Sequence, residues 1–338
     1  MSRTKLLNIV GIKDPHINIS HLNPHRTDYK KDLGGKFNYI SSYVEKNDID
    51  LVLFTGDVLC KNDSKQWAFK RNYIKVRNWF DDYVDYQSKL YTVFGNHDYL
   101  DGDYNNKNDT VLGELIKLKK ITSLTKKPKI INKVAIFGLD YKHEVETLLY
   151  DLNDIYKDVI DLKKSGEVEL VILVSHTYIL PKDDLNPIFR DTVHLTYEFL
   201  ATNYPLIDIQ LLGHLHKKVD LKKINKTTFV NPYNLMRVKR DEDVKTNKHE
   251  PMISDIRIYD DYTFDVEYVT LPYTPYDKAF KKDITETIDD NAKHKISFDF
   301  DLDQFSNKPI SDDELLDLII EKRNLDPDIK DLFKEYYR

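Results

Sequence analysis

Leu90-Tyr91-Thr92-Val93-Phe94-Gly95-Asn96-His97-Asp98 decides the reading of this 338-residue chain. The first five residues favour a pleated, buried strand. Gly-Asn then ends it with turn chemistry. Asn96 can offer its amide oxygen to a metal. His97 carries an imidazole suited to general acid work, and the neighbouring Asp98 carboxylate is expected to orient that ring and raise its pKa. The ordinary alternative is a β-turn without chemistry. The rest of the chain decides between the two.

Working outward, the same arrangement recurs four more times. Leu6–Val10 reads as a strand and leads to Asp14-Pro15-His16. Side chains two apart in an extended segment point the same way, so Asp14 and His16 can face one ion. Asp50–Phe54 is an apolar run ending at Gly56-Asp57, where glycine permits a sharp turn. Leu170–Val174 ends at Ser175-His176, and Ile207–Leu212 ends at Gly213-His214-Leu215-His216. That last motif again sets two imidazoles two residues apart, which suits metal binding. Each motif alone has an ordinary explanation: a turn aspartate, a core histidine, a chance pair. Together they place five of the eleven histidines, with Asp14, Asp57 and Asn96, at the ends of strands.

Between these runs the apolar spacing is helical, over residues 36–45, 66–86 and 143–163. Val134–Phe137 adds a further strand. Strands alternating with helices predict an α/β layered fold, with functional residues just beyond the carboxyl ends of strands. After residue 216 the pattern changes to short strands at 217–223, 227–231, 253–259 and 262–270, which predict a second sheet facing the first. The chain then reads as a main domain over 1–272 and a small module over 273–338. In that module Ser311-Asp312-Asp313-Glu314 is a capping box opening a helix, and Asp326-Pro327 starts a last one.

Composition sets limits. Hydrophobic residues make up 41% of the chain, enough for a packed core, and no apolar run has the length of a membrane span. The N-terminus has no small-residue cleavage site, so no signal peptide is read. Cys60 is the only cysteine, which excludes an intrachain disulfide and fits a reducing compartment such as a cytoplasm. The net charge of −6 counts mildly against nucleic acid as partner. The charge is uneven, however: Lys117–Lys133 holds seven lysines and no acid, and Lys217–Lys226 holds five lysines and one acid.

The order Asp-x-His, Gly-Asp, Gly-Asn-His-Asp, His, Gly-His-x-His over residues 6–232 resembles the calcineurin-like metallophosphoesterases. The resemblance implies a four-layer fold, two facing mixed β-sheets flanked by helices, with a small C-terminal α+β capping module. It implies two divalent metal ions, Mn²⁺ foremost. One would be held by Asp14, His16, Asp57 and His216. The other would be held by Asp57, Asn96, His176 and His214, with Asp57 bridging. His97 would protonate the leaving oxygen. Within the superfamily the chain looks most like the nuclease subunit of the SbcCD type, including its phage recombination relatives. Asn23-Pro24-His25-Arg26, the spacing to Asp57, and Asn231-Pro232-Tyr233-Asn234 after the last motif carry that likeness.

That likeness implies a DNA exo- and endonuclease in recombination or repair. Its partners would be an SbcC-like ATPase docked on the final helices and a second copy in a homodimer. The aromatic stretch Trp67–Phe80 is one candidate dimer contact, with core packing as its alternative. Lys61, Lys65, Arg71, Lys217, Lys218, Arg237, Lys239 and Arg240 are the candidate DNA backbone contacts. Three departures stand out. Cys60 lies where His or Asp is frequent, Lys13 precedes Asp14 where a small polar residue is common, and Tyr233-Asn234 replace Gly-Ser. Two other functions fit the same motifs: a phosphoesterase acting on a phosphoprotein or nucleotide, and a non-catalytic binding protein that keeps the fold.

Overall fold

The computed structural model describes residues 3–19, 26, 28–60, 69–84, 89–99, 103–125, 127–182, 194–238 and 240–281. The chain divides into two compact units, Met1–Lys282 and Asp283–Arg338. The second unit, with both expected C-terminal helices, lies outside the described residues, as do Asn23, Pro24 and His25.

The first strands are β1 (Lys5–Ile12), β2 (Leu51–Phe54), β3 (Lys89–Thr92) and β4 (Thr122–Ser123). They are followed by β5 (Lys129–Ile131), β6 (Val134–Leu139), β7 (Leu170–Ser175), β8 (Tyr178–Leu180) and β9 (His194–Thr196). The last are β10 (Ile209–Leu212), β11 (Val219–Ile224), β12 (Thr227–Asn231), β13 (Met252–Tyr259) and β14 (Phe264–Thr270). One six-stranded sheet runs β14-β13-β1-β2-β3-β4 and the other β11-β12-β10-β7-β6-β5. The first is parallel from β1 to β4 and antiparallel at its β13–β14 edge, while the second has a parallel centre and an antiparallel pair at each edge. Strands buried on both faces need continuous apolar runs. β2, β6, β7 and β10 have them and are buried throughout.

Leu7, Ile9, Leu51 and Leu53 of one sheet pack against Ile136, Ile172, Ile209 and Leu211 of the other. Helices cover the outer faces. On the first sheet, α1 (Tyr29–Lys46) presents Leu33, Phe37, Ile40 and Val44 at helical spacing, and α2 (Phe69–Tyr83) and α3 (Val111–Lys117) complete the layer. On the second, α4 (Val145–Lys164) buries Leu148, Leu152 and Val159 beside α5 (Tyr197–Asn203). The side chains of Thr110 and Thr196 accept from Gly113 N and Phe199 N and so cap α3 and α5. The layers are those of the four-layer metallophosphoesterase fold.

Two expectations need correction, and one choice between alternatives is made. The last four strands do not make a sheet of their own: β11 and β12 extend the second sheet, while β13 and β14 return to the first beside β1. Residues 273–281 belong with the first unit rather than the module expected to start at 273. Arg237 donates to the Thr274 carbonyl, and the Arg26 guanidinium lies over the Phe280 ring. Within the aromatic stretch, Trp79 and Phe80 are core residues packed against α1, which is the core-packing alternative; Trp67 lies outside the described residues. Among the described residues no helix is long and apolar enough to cross a membrane.

Candidate metal centre

β1, β2 and β3 lie side by side in one sheet, and β7 and β10 in the other. The loops at their carboxyl ends therefore meet, and these loops carry all five motifs. The local backbone is forced. Asp14, His16, Asp57 and His214 have φ of 42°, 46°, 45° and 74°. Such left-handed conformations cost a non-glycine residue on the order of 1–3 kcal/mol and gather at functional sites. Three glycines let the loops interlock. A Cβ at Gly56 would come within 2.5 Å of His176 Nδ1. One at Gly95 would strike the Asp57 carboxylate, and one at Gly213 the Thr55 carbonyl.

The side chains form two clusters, His16–Asp57–His216 and Asp57–His176–His214, each with ligand atoms within 4.8 Å of one another. His16 Nε2 and His216 Nε2 approach to 2.8 Å, and Asp14 Oδ2 lies 3.6 Å from His216 Nε2. On the other side His176 Nε2 lies 3.2 Å from His214 Nδ1 and 3.3 Å from Asn96 Oδ1. Asp57 divides its carboxylate between them: Oδ1 is 3.3 Å from His176 Nε2, and Oδ2 is 3.8 Å from His16 Nε2. Donors held at about 2.0–2.2 Å from a shared divalent ion stand roughly 3–3.5 Å apart. The buried Asp14 Oδ2 and His214 Nε2 have no hydrogen-bond partner. Buried polar atoms are seldom left so. The donor set fits a pair of divalent ions sharing Asp57.

Residues 12–218 match the model of the calcineurin-like phosphoesterases. The chain belongs to that family. Among solved structures, a dimetal phosphatase from Danio rerio is similar at 12% identity and TM-score 0.49, over 80% of this chain and 100% of that one. GAP50, the anchor in the inner membrane complex of Plasmodium, is similar at 10% identity and TM-score 0.46, over 81% and 91%. Vps29 of Chaetomium thermophilum is similar at 12% identity and TM-score 0.28, over 79% and 100%. No curated protein sequence matches. The chain is thus a phosphoesterase-type, metal-dependent hydrolase by family.

Around the ligands of this phosphoesterase stands a second set of contacts. The Thr55 carbonyl, 2.7 Å from His176 Nδ1, fixes the tautomer that leaves Nε2 open to a metal. His214 N–H donates to Asp14 Oδ1 at 3.1 Å, and His97 N–H to Asp57 Oδ1 at 2.8 Å. Tyr29 Oη donates to the His16 carbonyl at 2.7 Å, tying that loop to α1. Tyr178 and Tyr141 enclose His214, with ring centroids 3.9 Å and 5.1 Å away. His97 is half-buried, its ring centroid 5.0 Å from that of His16.

Asp98 departs from expectation. Its carboxylate accepts from the N–H groups of Val58, Leu59 and Gly95 at 3.2, 2.9 and 2.9 Å, and not from the His97 ring. It braces the Asp57 turn. Backbone donors converging on a buried acceptor make it a positioning group. Its expected role of orienting His97 is corrected accordingly.

Titration follows from burial and proximity. Burial pushes Asp14 up to about 6, against the pull of His176. Burial also raises Asp57, but His176, His16 and His97 outweigh it and hold this carboxyl well below its usual range. His176 is raised to about 9: burial lowers it, and Asp57 and Asp14 more than reverse that. Burial lowers His214 to about 3 and His216 well below normal. A metal ligand must be deprotonated, so the raised His176 would have to give up its proton on metal uptake.

The expected DNA contacts divide. Lys61, Lys65 and Lys239 lie outside the described residues, as does the side chain of Arg71 on α2. Lys217 is exposed, one residue past His216. Lys218 is half-buried and pairs with Asp220 at 3.2 Å. Arg240 donates to the Lys281 carbonyl. Arg237 is a correction. It is fully buried, bonded to Asn247 and the Thr274 carbonyl and covered by Tyr273, so it meets no DNA. The Tyr233-Asn234 turn is also buried. Tyr233 stacks on His249 and donates to Asp243, and Asn234 donates to the Met236 carbonyl. Cys60 Sγ lies 3.3 Å from the His16 carbonyl. Sequence reasoning missed Lys13 and Tyr178 as site neighbours. Position 13, directly before Asp14, was the one signal for the first.

Proposed function

We propose that this chain is a Mn²⁺-dependent DNA nuclease, the nuclease subunit of an SbcCD-like complex in recombination or repair. The observation that carries the hydrolytic part is the divided Asp57 carboxylate between two imidazole clusters, with the half-buried His97 beside them. Asp14, His16 and His216 would hold one ion, and His176, His214 and Asn96 the other. A bound pair supplies Lewis-acid polarisation of the phosphoryl oxygens and activation of the attacking water. His97 stands at the rim of the clusters and hands its proton to the leaving oxygen. Asp98 holds the turn that aims Asp57. Thr55 keeps His176 in the ligating tautomer.

The DNA reading draws on the motif layout from Asn23–Arg26 to Asp57 and on Lys217 beside His216. The half-buried Tyr141 and Tyr178 beside His214 give flat surfaces suited to bases. The ATPase would dock on the unit Asp283–Arg338, and a second copy would complete a homodimer. One observation favours a second reading, a phosphoesterase of another substrate class: Arg237 is buried and Arg240 is engaged, which thins the cationic surface.

Cleavage of end-labelled linear DNA in Mn²⁺, beside His97→Ala, Asp57→Asn and an EDTA control, tests the proposal. Metal-dependent cleavage lost in both variants supports it. Intact turnover of a nitrophenyl phosphodiester without DNA cleavage replaces it with the second reading.

A further inference from the structure

Lys13 is fully buried beside the metal centre. Taking an ammonium out of water costs several kcal/mol unless its donors are met. A lysine has three donors. Here they meet three oxygens: Asn231 Oδ1, the Pro232 carbonyl at 2.9 Å and the Lys217 carbonyl at 3.4 Å. The main-chain carbonyl of Lys13 accepts from Leu235 N at 2.8 Å. Both ends of the residue are thus bound to the segment that follows β12.

The Lys217 contact gives this arrangement its consequence. His216 stands in a loop whose flanks are both pinned by the pair Lys13-Asp14. On one side His214 N–H donates to Asp14 Oδ1. On the other the Lys217 carbonyl receives Lys13 Nζ. His214 holds a left-handed φ of 74°, so the loop needs external restraint. Among the described residues no main-chain group anchors the His216 imidazole as the Thr55 carbonyl anchors His176.

We propose that Lys13 is a positioning residue. It bridges the first and last ligand motifs and holds His216 in place for the ion it would share with Asp14 and His16. This rests on the two-metal reading of the site. Two effects of the ammonium oppose each other: its charge repels a cation, and its bonds fix the ligand. The proposal states that fixing dominates.

Calorimetric titration of Mn²⁺ into the full chain, without substrate, tests it. Wild type is expected to take two ions. Lys13→Met keeps the stem and removes the donors. One ion should bind as in wild type and the other roughly tenfold or more weakly, the scale of lost outer contacts at metal sites. Asn231→Ala keeps the lysine and removes one acceptor. It should weaken the same ion by a smaller factor, and it decides the matter if Lys13→Met does not fold. Equal or tighter binding overturns the proposal, tighter binding meaning that repulsion dominates. Equal weakening of both ions with a lowered metal-free Tm also overturns it, because that is a general structural effect. No Mn²⁺ uptake by wild type would instead fell the two-metal reading, and the tether with it.

Discussion

Asp32 and Asp57 are both buried carboxylates among cationic or imidazole groups, yet only the first is balanced by its own neighbours. Lys36 Nζ and Arg26 bind Asp32 at 2.6 and 2.8 Å, and Arg26 also takes Asp28 at 2.8 Å. The carboxylate sits in a regular helix, α1, with its cations around it. At the candidate metal centre four candidate ligands have left-handed backbone, two buried polar atoms lack hydrogen-bond partners, and two imidazole nitrogens face each other at 2.8 Å. The first arrangement stabilises the fold by itself. The second concentrates strain and unsatisfied donors where a ligand is to arrive. Burial of charge alone therefore does not mark a site; incompleteness does.

Asp57→Asn attacks the incomplete region at its shared ligand. Turnover of any phosphoester substrate should fall on the order of 10⁴-fold, about 5.5 kcal/mol, since bound metals supply several kcal/mol of charge stabilisation. Thermal melting in EDTA should show no loss of stability. A clear drop in the metal-free Tm would break the comparison, because Asp57 would then be a structural residue like Asp32.

Asp32→Ala is the converse. Removing one partner of a buried ion network costs about 3–5 kcal/mol. The loss should appear in denaturant unfolding, with metal affinity unchanged. The sign of the pH effect follows from its titration. Burial raises Asp32, but Lys36 and Arg26 outweigh it and hold its pKa below normal. A carboxyl depressed in the folded state contributes stability above its unfolded pKa of about 3.9 and loses it as pH falls through the folded value. Wild type should therefore lose more stability than Asp32→Ala on acidification below about pH 4. Equal acid sensitivity would remove Asp32 from the network's account.

His97→Ala separates chemistry from ligation. Turnover should fall about 10²–10³-fold, the range of a lost general acid, while calorimetric Mn²⁺ binding stays at the wild-type level. Loss of metal binding would move His97 into the ligand set.

The strand-end motifs were legible because each needs only a local signal, an apolar run stopped by glycine or by metal-binding residue types. All seven expected metal ligands meet in one place for that reason. Sheet membership after residue 216 was not legible. β11 to β14 all read as short strands, and nothing local tells β13 that its partner is β1, whose Ile12 pairs with Ile253 some 240 residues on. Arg237 and Lys13 show the same limit for cations. Whether a basic side chain meets solvent or a buried oxygen depends on residues remote in sequence, Thr274 for one and Asn231 for the other. Asp98 looked like a partner for His97 because it is adjacent, whereas folding brings Val58 and Leu59 to it across 40 and 39 residues.

Lys217 offers the smallest effect and the finest discrimination. Its ammonium is on an exposed residue, while its carbonyl holds Lys13 inside. Lys217→Ala removes only the outer function, so Tm and Mn²⁺ affinity should stay unchanged. If the side chain meets a DNA phosphate, binding to duplex DNA in EDTA should weaken a few-fold, and the slope of log affinity against log salt should shrink by about 0.9, the share of one phosphate contact. Arg237→Ala is the contrasting variant. Its buried guanidinium should move Tm and leave the salt slope alone. An unchanged slope in Lys217→Ala would remove the exposed lysine next to His216 from the DNA reading and turn attention to a smaller phosphoester.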